Sequence, residues 1–374
     1  MKILHISKYY FPFVGGVEQV ARDCVNALKG HDNKVICFNH EKGDDTDIVD
    51  GVEVIRSGCQ AKLSSQPIAL GFGRALKKIM NEFQPEIVIF HYPNPFVAHS
   101  LLKFSSRNFK LILYWHLDIV KQKILKKFFH GQNKRLCDRA DRIVATSPNY
   151  IEYSEYLPLY REKCTVIPNC VNTDRIFVNE NVKKHEEQIR SENEGKIILF
   201  AVGRHVPYKG MEYLIRASAY LDDRFRIFIG GTGPLTESLK KLAEGDGKIK
   251  FTGKISDDEL VAYMAACDIY CFPSITKNEA FGVSLAEAMY FGKPAVTFTI
   301  EGSGVNYVSL NGITGLEVEN GNSEKYAEAI RLLADNEEMR LNYGKAARIR
   351  VENNFLLKNF AERLENLVDG LENK

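Results

Sequence analysis

Short apolar runs alternate with longer amphipathic stretches along the whole chain, and the series restarts once near its middle. Lys2-Ile-Leu-His-Ile6 reads as a strand, Gly15-Gly16 as a turn and 17–28 as a helix. Lys34-Val-Ile-Cys-Phe38, Gly51-Val-Glu-Val-Ile55, Glu86-Ile-Val-Ile-Phe90, Leu111-Ile-Leu-Tyr-Trp115 and Arg142-Ile-Val-Ala-Thr146 continue as strands, with a helical pattern over 74–83. Continuous apolar strands separated by helices need both sheet faces covered, which is an α/β arrangement around a parallel sheet. A polar tract over 179–194, rich in Glu, Lys and Asn, reads as a linker or a loosely packed helix. Strands resume at Lys196-Ile-Ile-Leu-Phe-Ala-Val202, Arg226-Ile-Phe-Ile229, Ile249-Lys-Phe-Thr252, Ile269-Tyr-Cys-Phe272 and Ala295-Val-Thr-Phe298. The expected organisation is two doubly wound domains, 1–170 and 195–355, with a linker over 171–194 and an amphipathic C-terminal helix over 356–374. Two such domains facing each other leave a cleft at the carboxyl ends of both sheets, where ligands bind in open α/β folds.

Composition agrees with this. At 374 residues, 45% hydrophobic and 26% charged, the chain has apolar material for full cores and a length that favours two domains. A formal net charge of +2 gives no global attraction to nucleic acid, and no such partner is expected. Cys24, Cys37, Cys59, Cys137, Cys164, Cys170, Cys267 and Cys271 lie in apolar segments without a Cys-x-x-Cys pair, and read as reduced core thiols. The first strand begins at the N-terminus with no signal peptide before it, and no apolar run reaches the ~18 residues that span a bilayer. The expected compartment is the cytosol.

Three glycine-bearing loops follow strands. Gly15-Gly16-Val-Glu18 opens a helix, where glycine lets backbone approach a ligand and the helix N-terminus favours an anion. It lacks the Gly-x-Gly-x-x-Gly spacing of a dinucleotide site. Gly203-Arg204-His205-Val-Pro-Tyr-Lys209-Gly210 places two cations beside a turn, suited to stabilising a leaving diphosphate. Glu279-Ala-Phe-Gly-Val-Ser-Leu-Ala-Glu287 puts one carboxylate before a helix start near Gly282 and another about one turn inside it, with bare N–H groups between them. Carboxylates accept hydrogen bonds from sugar or ribose hydroxyls.

Together these pieces resemble the GT-B glycosyltransferases, specifically the retaining family 4. The resemblance rests on Glu279 and Glu287 at Glu-x7-Glu spacing, on Gly203-Arg204 with Lys209-Gly210, on Gly15 to Glu18, and on Val166-Ile-Pro-Asn-Cys170, where the family has glycine in place of Cys170. It covers essentially the whole chain. Trp115-His-Leu-Asp-Ile-Val-Lys-Gln-Lys123, Ser147-Pro-Asn-Tyr150, Gly302-Ser-Gly304 and Thr314-Gly315 are similar to bacterial O-antigen and polysaccharide mannosyltransferases. The resemblance implies two Rossmann-like domains, acceptor side first and nucleotide-sugar side second, with the C-terminal helix packing back on the first. It implies that Arg204 and Lys209 bind the donor diphosphate, Glu279 the transferred sugar and Glu287 the ribose. Backbone of Ala280, Phe281, Gly282 and Val283 would sit against sugar and phosphates, and Gly203 would open the cation loop. Lys254 and Ile255 would lie near the base, His116 near the transferred sugar, and Gly15 and Gly16 against the diphosphate.

The implied reaction is transfer of a sugar, mannose from GDP-mannose being favoured, onto a lipid-linked or oligosaccharide acceptor. Nothing resembles the paired carboxylates of retaining glycosidases. The acceptor therefore attacks the face from which the diphosphate leaves, and a donor phosphate oxygen takes its proton. No cofactor and no metal are expected, protein cations standing in for one. The basic and apolar stretch 121–129 reads equally as a solvated helix or as a peripheral contact with the cytoplasmic face of the inner membrane. Competing readings are a family 4 transferase using a UDP-sugar, a nucleotide-sugar epimerase that forms no glycoside, and a silent binding subunit.

Overall fold

The computed structural model describes residues 1–13, 15–63, 66–104, 108–118 and 123–372. Residues 119–122, all within the 115–123 segment and in part (121 and 122) within the 121–129 segment, lie outside them, as do the side chains of 123–128. The chain divides into two compact units, Met1–Pro168 with Lys358–Lys374, and Asn169–Leu357.

In the first unit the described strands are β1 (Lys2–Ile6), β2 (Asp32–Phe38), β3 (Asp45–Val49), β4 (Val52–Ser57), β5 (Ala61–Leu63), β6 (Gln66–Ile68), β7 (Ile87–Tyr92), β8 (Lys110–Trp115), β9 (Arg142–Ala145) and β10 (Cys164–Val166). Their main sheet runs β10-β9-β8-β7-β1-β2-β4-β3 and is parallel except for β3, which pairs antiparallel with β4 at the edge. That edge departs from the all-parallel expectation. Its strand, Asp45-Thr-Asp-Ile-Val, carries too few apolar residues to read as a strand from sequence. Strands β5 and β6 form a separate hairpin. The central strand β7 is buried at every position, as helices on both faces require. The helix Phe72–Glu82 shows how these faces are covered: Phe72, Leu76, Ile79 and Met80 recur on one apolar stripe and are its buried residues.

The second unit contains β11 (Ile197–Val202), β12 (Phe225–Gly230), β13 (Ile249–Gly253), β14 (Ile269–Phe272), β15 (Ala295–Phe298) and β16 (Gly315–Val318), in the order β13-β12-β11-β14-β15-β16 and wholly parallel. Residues 171–194 are not a free linker. Asn179 caps the helix Glu180–Ser191 by accepting from the Val182 N–H, and Val182 and Ile189 are buried where this helix packs on the helix Asp257–Ala266. Two such apolar side chains contribute roughly 2 kcal/mol each, enough to tie a polar helix to the unit. Arg190 adds an ion pair to Asp268 at 3.1 Å. The C-terminal helix Leu357–Glu372 buries Phe360, Leu364, Val368 and Leu371, an i, i+4, i+8, i+11 stripe, and from Lys358 onward belongs to the first unit. No helix among the described residues is long and apolar enough to cross a membrane.

Candidate active site

The sheet order of the second unit reverses between β11 and β14, and the loops after these two neighbouring strands carry most of the predicted residues. After β11 the chain passes Gly203-Arg204-His205 and a 3-10 turn, Pro207–Lys209, that ends at Gly210 with φ +60°. A Cβ on Gly210 would lie 2.1 Å from the Pro273 carbonyl oxygen, just beyond β14. Glycine alone allows that approach, and it brings Lys209 onto the β14 loop. Lys209 Nζ lies 2.5 Å from Glu279 Oε2, and Ser274 Oγ donates to the same oxygen at 3.0 Å. Glu279 Oε1 takes no hydrogen bond among the described residues. Burial by itself would lower the Lys209 pKa, but the Glu279 carboxylate and Tyr208 outweigh it and the net shift is upward. Lys209 is therefore a fixed cation at neutral pH.

The helix Val283–Tyr290 begins where the sequence pattern places it. Gly282 is its N-cap at φ +92°, and no side chain caps it, so the positive end of the helix is left to backbone N–H groups. The loop before it is pinned from the β15 side. Ser303 Oγ donates to the Glu279 carbonyl oxygen, and a Cβ on Gly304 would lie 2.1 Å from the Ala280 carbonyl oxygen. Phe281 is buried edge-on against Phe355, so it anchors the loop and leaves its backbone for any ligand. Glu287, 3% exposed, is ion-paired with Arg175 Nη2, whose Nη1 reaches Asp257 at 3.2 Å. Arg175 was not legible in the sequence, since no motif marks it and its partner is 112 residues away. Lys254 is exposed and Ile255 half-buried in the turn before Asp257. Arg204 is exposed, and its side chain makes no hydrogen bond or ion pair among the described residues. Burial raises the Tyr208 hydroxyl pKa, Glu279 adds to this, and Lys209 and Arg204 oppose it, so all three charges act on one point.

In the first unit, His116 immediately follows β8. It is 5% exposed, and its Nε2 lies 3.0 Å from His91 Nδ1 at the end of β7. The segment after it is held by Asp118, which accepts from Trp115 Nε1 at 3.0 Å and Ser154 Oγ at 2.8 Å, while its N–H donates to the Tyr150 hydroxyl at 2.7 Å. Burial pushes His116 down to about 3, so the ring is neutral. Gly15 caps the helix Gly16–Ala27, and a Cβ on it would lie 2.3 Å from Glu18 Oε2. The carboxylate of Glu18 thus occupies the helix start. Among the described residues, a Cβ on Gly16 would meet nothing within 4 Å, so no close approach there requires glycine.

The metal-free expectation passed over Asp45-Thr-Asp47, which has Asp-x-Asp spacing. The two carboxylates lie on edge strand β3, and Asp47 is paired with Arg56 at 3.2 Å. Among the described residues, the metal-ligating groups that converge are His31, Glu365 and Asp369, none of which belongs to the loops described above.

Residues 14–175 match the model of Glycosyltransferase Family 4, and residues 182–350 that of Glycosyl transferases group 1. The chain is 30% identical to the O-antigen chain mannosyltransferase C of Escherichia coli, covering 99% of both chains. It is also 30% identical to the D-rhamnosyltransferase WbpZ of Pseudomonas aeruginosa, covering 94% of this chain and 91% of that one. Sucrose-phosphate synthase from Thermosynechococcus elongatus shares the fold with a TM-score of 0.81 at 21% identity, over 99% of this chain and 98% of that one. A glycosyltransferase from Rickettsia africae does so with a TM-score of 0.77 at 22% identity, over 100% and 99%.

Proposed function

The chain belongs to family 4 of the glycosyltransferases and has the GT-B fold, and from that premise we propose that it is a retaining mannosyltransferase of surface-polysaccharide synthesis. Its donor is GDP-mannose and its acceptor a lipid-linked or oligosaccharide hydroxyl. The observation that carries the reading is the Lys209–Glu279–Ser274 cluster beside the uncapped start of the helix Val283–Tyr290. A charge-neutralised carboxylate with one open oxygen suits a sugar hydroxyl. The adjacent cation and helix N-terminus suit the diphosphate.

In the reaction the bond between the anomeric carbon and the phosphate oxygen breaks, and the acceptor oxygen bonds the same face of that carbon. The acceptor proton passes to a phosphate oxygen of the departing GDP. Lys209 and Arg204 stabilise the charge on that diphosphate. Glu279 holds the sugar through Oε1, Glu287 reaches the ribose once Arg175 yields it, and no metal takes part. The mannosyl assignment draws on the named activities of the relatives in Escherichia coli and Pseudomonas aeruginosa. D-rhamnose is 6-deoxymannose, so the two relatives' sugars share every ring configuration and differ at C6.

Incubating the purified chain with GDP-mannose and a lipid-diphosphate-linked sugar, with and without EDTA, tests this. The expected product is an α-mannoside formed at the same rate in both, with Glu279→Ala slowing turnover at least 10³-fold, as expected when a transition-state contact is lost. A β-linked product, an epimerised donor without glycoside, or thermal stabilisation by UDP and not GDP would each refute part of the assignment.

A further inference from the structure

His5, His91 and His116 stand on one face of the N-terminal sheet. His5 is in register with Ile89, two positions before His91, and His91 with Tyr114, two before His116. The rings of His91 and His116 stack on Tyr114 at centroid distances of 5.4 and 4.8 Å. Both histidines are neutral. Burial lowers His116 and, reinforced by His116 and His5, lowers His91 well below its ordinary range.

A 3.0 Å contact between two neutral imidazoles needs one N–H and one lone pair. The other nitrogen of His91, Nε2, is buried with no partner. Were His116 the donor, His91 would have to carry its proton on that Nε2, leaving a buried N–H with nothing to accept it. With His91 as donor, Nε2 is only an unused lone pair. Orphaned buried N–H groups are rarer than under-used acceptors, so the His91 proton belongs on Nδ1. His116 Nε2 then accepts, and a neutral His116 must hold its own proton on Nδ1. That atom has no hydrogen-bond partner among the described residues.

We propose that His91 is a positioning residue that fixes His116 in the Nδ1–H form, so that His116 offers a neutral hydrogen-bond donor to a sugar oxygen of the donor substrate and cannot serve as the base for the acceptor hydroxyl. The inference rests on the reading that His116 faces the transferred sugar. It adds which atom acts, in which protonation state, and what holds it so. It also leaves the donor phosphate as the acceptor of the proton.

Nitrogen-15 NMR of the full chain labelled at histidine, at neutral pH, reads the tautomers directly. Assignment uses His91→Asn and His116→Asn. The expected result is that both rings carry the proton on Nδ1, the minor form of free histidine. A proton on Nε2 of His116 overturns the proposal. In parallel, His91→Phe keeps a ring in the stack but removes the donor. It should lower kcat/KM about tenfold, the worth of one hydrogen bond, and shift the remaining His116 signal toward the Nε2–H form. His91→Asn, whose amide can stand at the Nδ1 position, should recover most of the loss. Unchanged turnover and an unchanged His116 signal in a folded His91→Phe variant would also overturn it. If instead His116→Ala turns over normally while the wild-type tautomers are as expected, the tautomer assignment stands and the placement of His116 on the sugar falls.

Discussion

The two units bury polar side chains at the carboxyl ends of their sheets by opposite means. The first uses neutral rings: His5, His91 and His116 lie on one sheet face with no counter-charge among the described residues, and burial keeps the rings uncharged. The second uses opposed charges: Lys209 with Glu279, and Arg175 with Glu287. A buried neutral base costs nothing at neutral pH and becomes a liability in acid. A buried ion pair tolerates that range but fails when one partner is removed. The difference suits the proposed division of labour, with the charged diphosphate met by fixed charges and an uncharged sugar hydroxyl by an uncharged ring.

Acidification should separate the units most strongly. His5 is depressed to about 4 and His116 to about 3, so between pH 6.5 and those values the unfolded chain takes up protons that the folded chain refuses. Stability present above pH 6.5 is lost as the pH falls, by about 1.4 kcal/mol per pH unit for each histidine. The first unit holds seven of the nine histidines and the only tryptophan, Trp115. Trp115 fluorescence and hydrogen exchange at pH 5 should therefore report loosening of residues 1–168 first. Earlier loss of protection in 169–357 would break the comparison.

The next largest effect belongs to the ion pair. Lys209→Met leaves Glu279 buried without its cation and should cost about 3 kcal/mol in urea unfolding. Adding Glu279→Leu should return most of that stability and none of the turnover. A double variant as unstable as the single one would mean that the pair is not what Lys209 contributes. Smallest in stability is Arg204→Ala, within about 0.5 kcal/mol because the side chain is exposed and unpaired among the described residues. Turnover should nonetheless fall on the order of 10²-fold if Arg204 meets the leaving diphosphate. Normal turnover would limit the charged face to Lys209 and the helix start.

Much of the fold was legible because its signals are local. Ile269-Tyr-Cys-Phe272 is fully buried strand, and Gly282 starts a helix at Val283, because apolar continuity and a left-handed glycine act over a few residues. The edge strand β3 was obscured, and over 179–194 the sequence left a linker and a loosely packed helix both open. The strand is polar on both faces, and the helix Glu180–Ser191 is fixed by just two buried apolar residues and contacts to a distant helix. Ser274 carries no pattern at all, the Gly302-Ser-Gly304 motif does not tell what Ser303 bonds, and both matter because β11, β14 and β15 lie side by side.

By itself, then, the sequence determined the parallel α/β architecture, the strand-end loops and the family, since each is written in short runs of apolar, glycine and charged residues. Tertiary structure decided the pairings. Lys209 meets Glu279, Arg175 meets Glu287, and His91 sets the proton of His116, because strand order and not chain distance determines which loops are neighbours. An ion pair or a tautomer depends on the atom within about 3 Å, which no single stretch of sequence records.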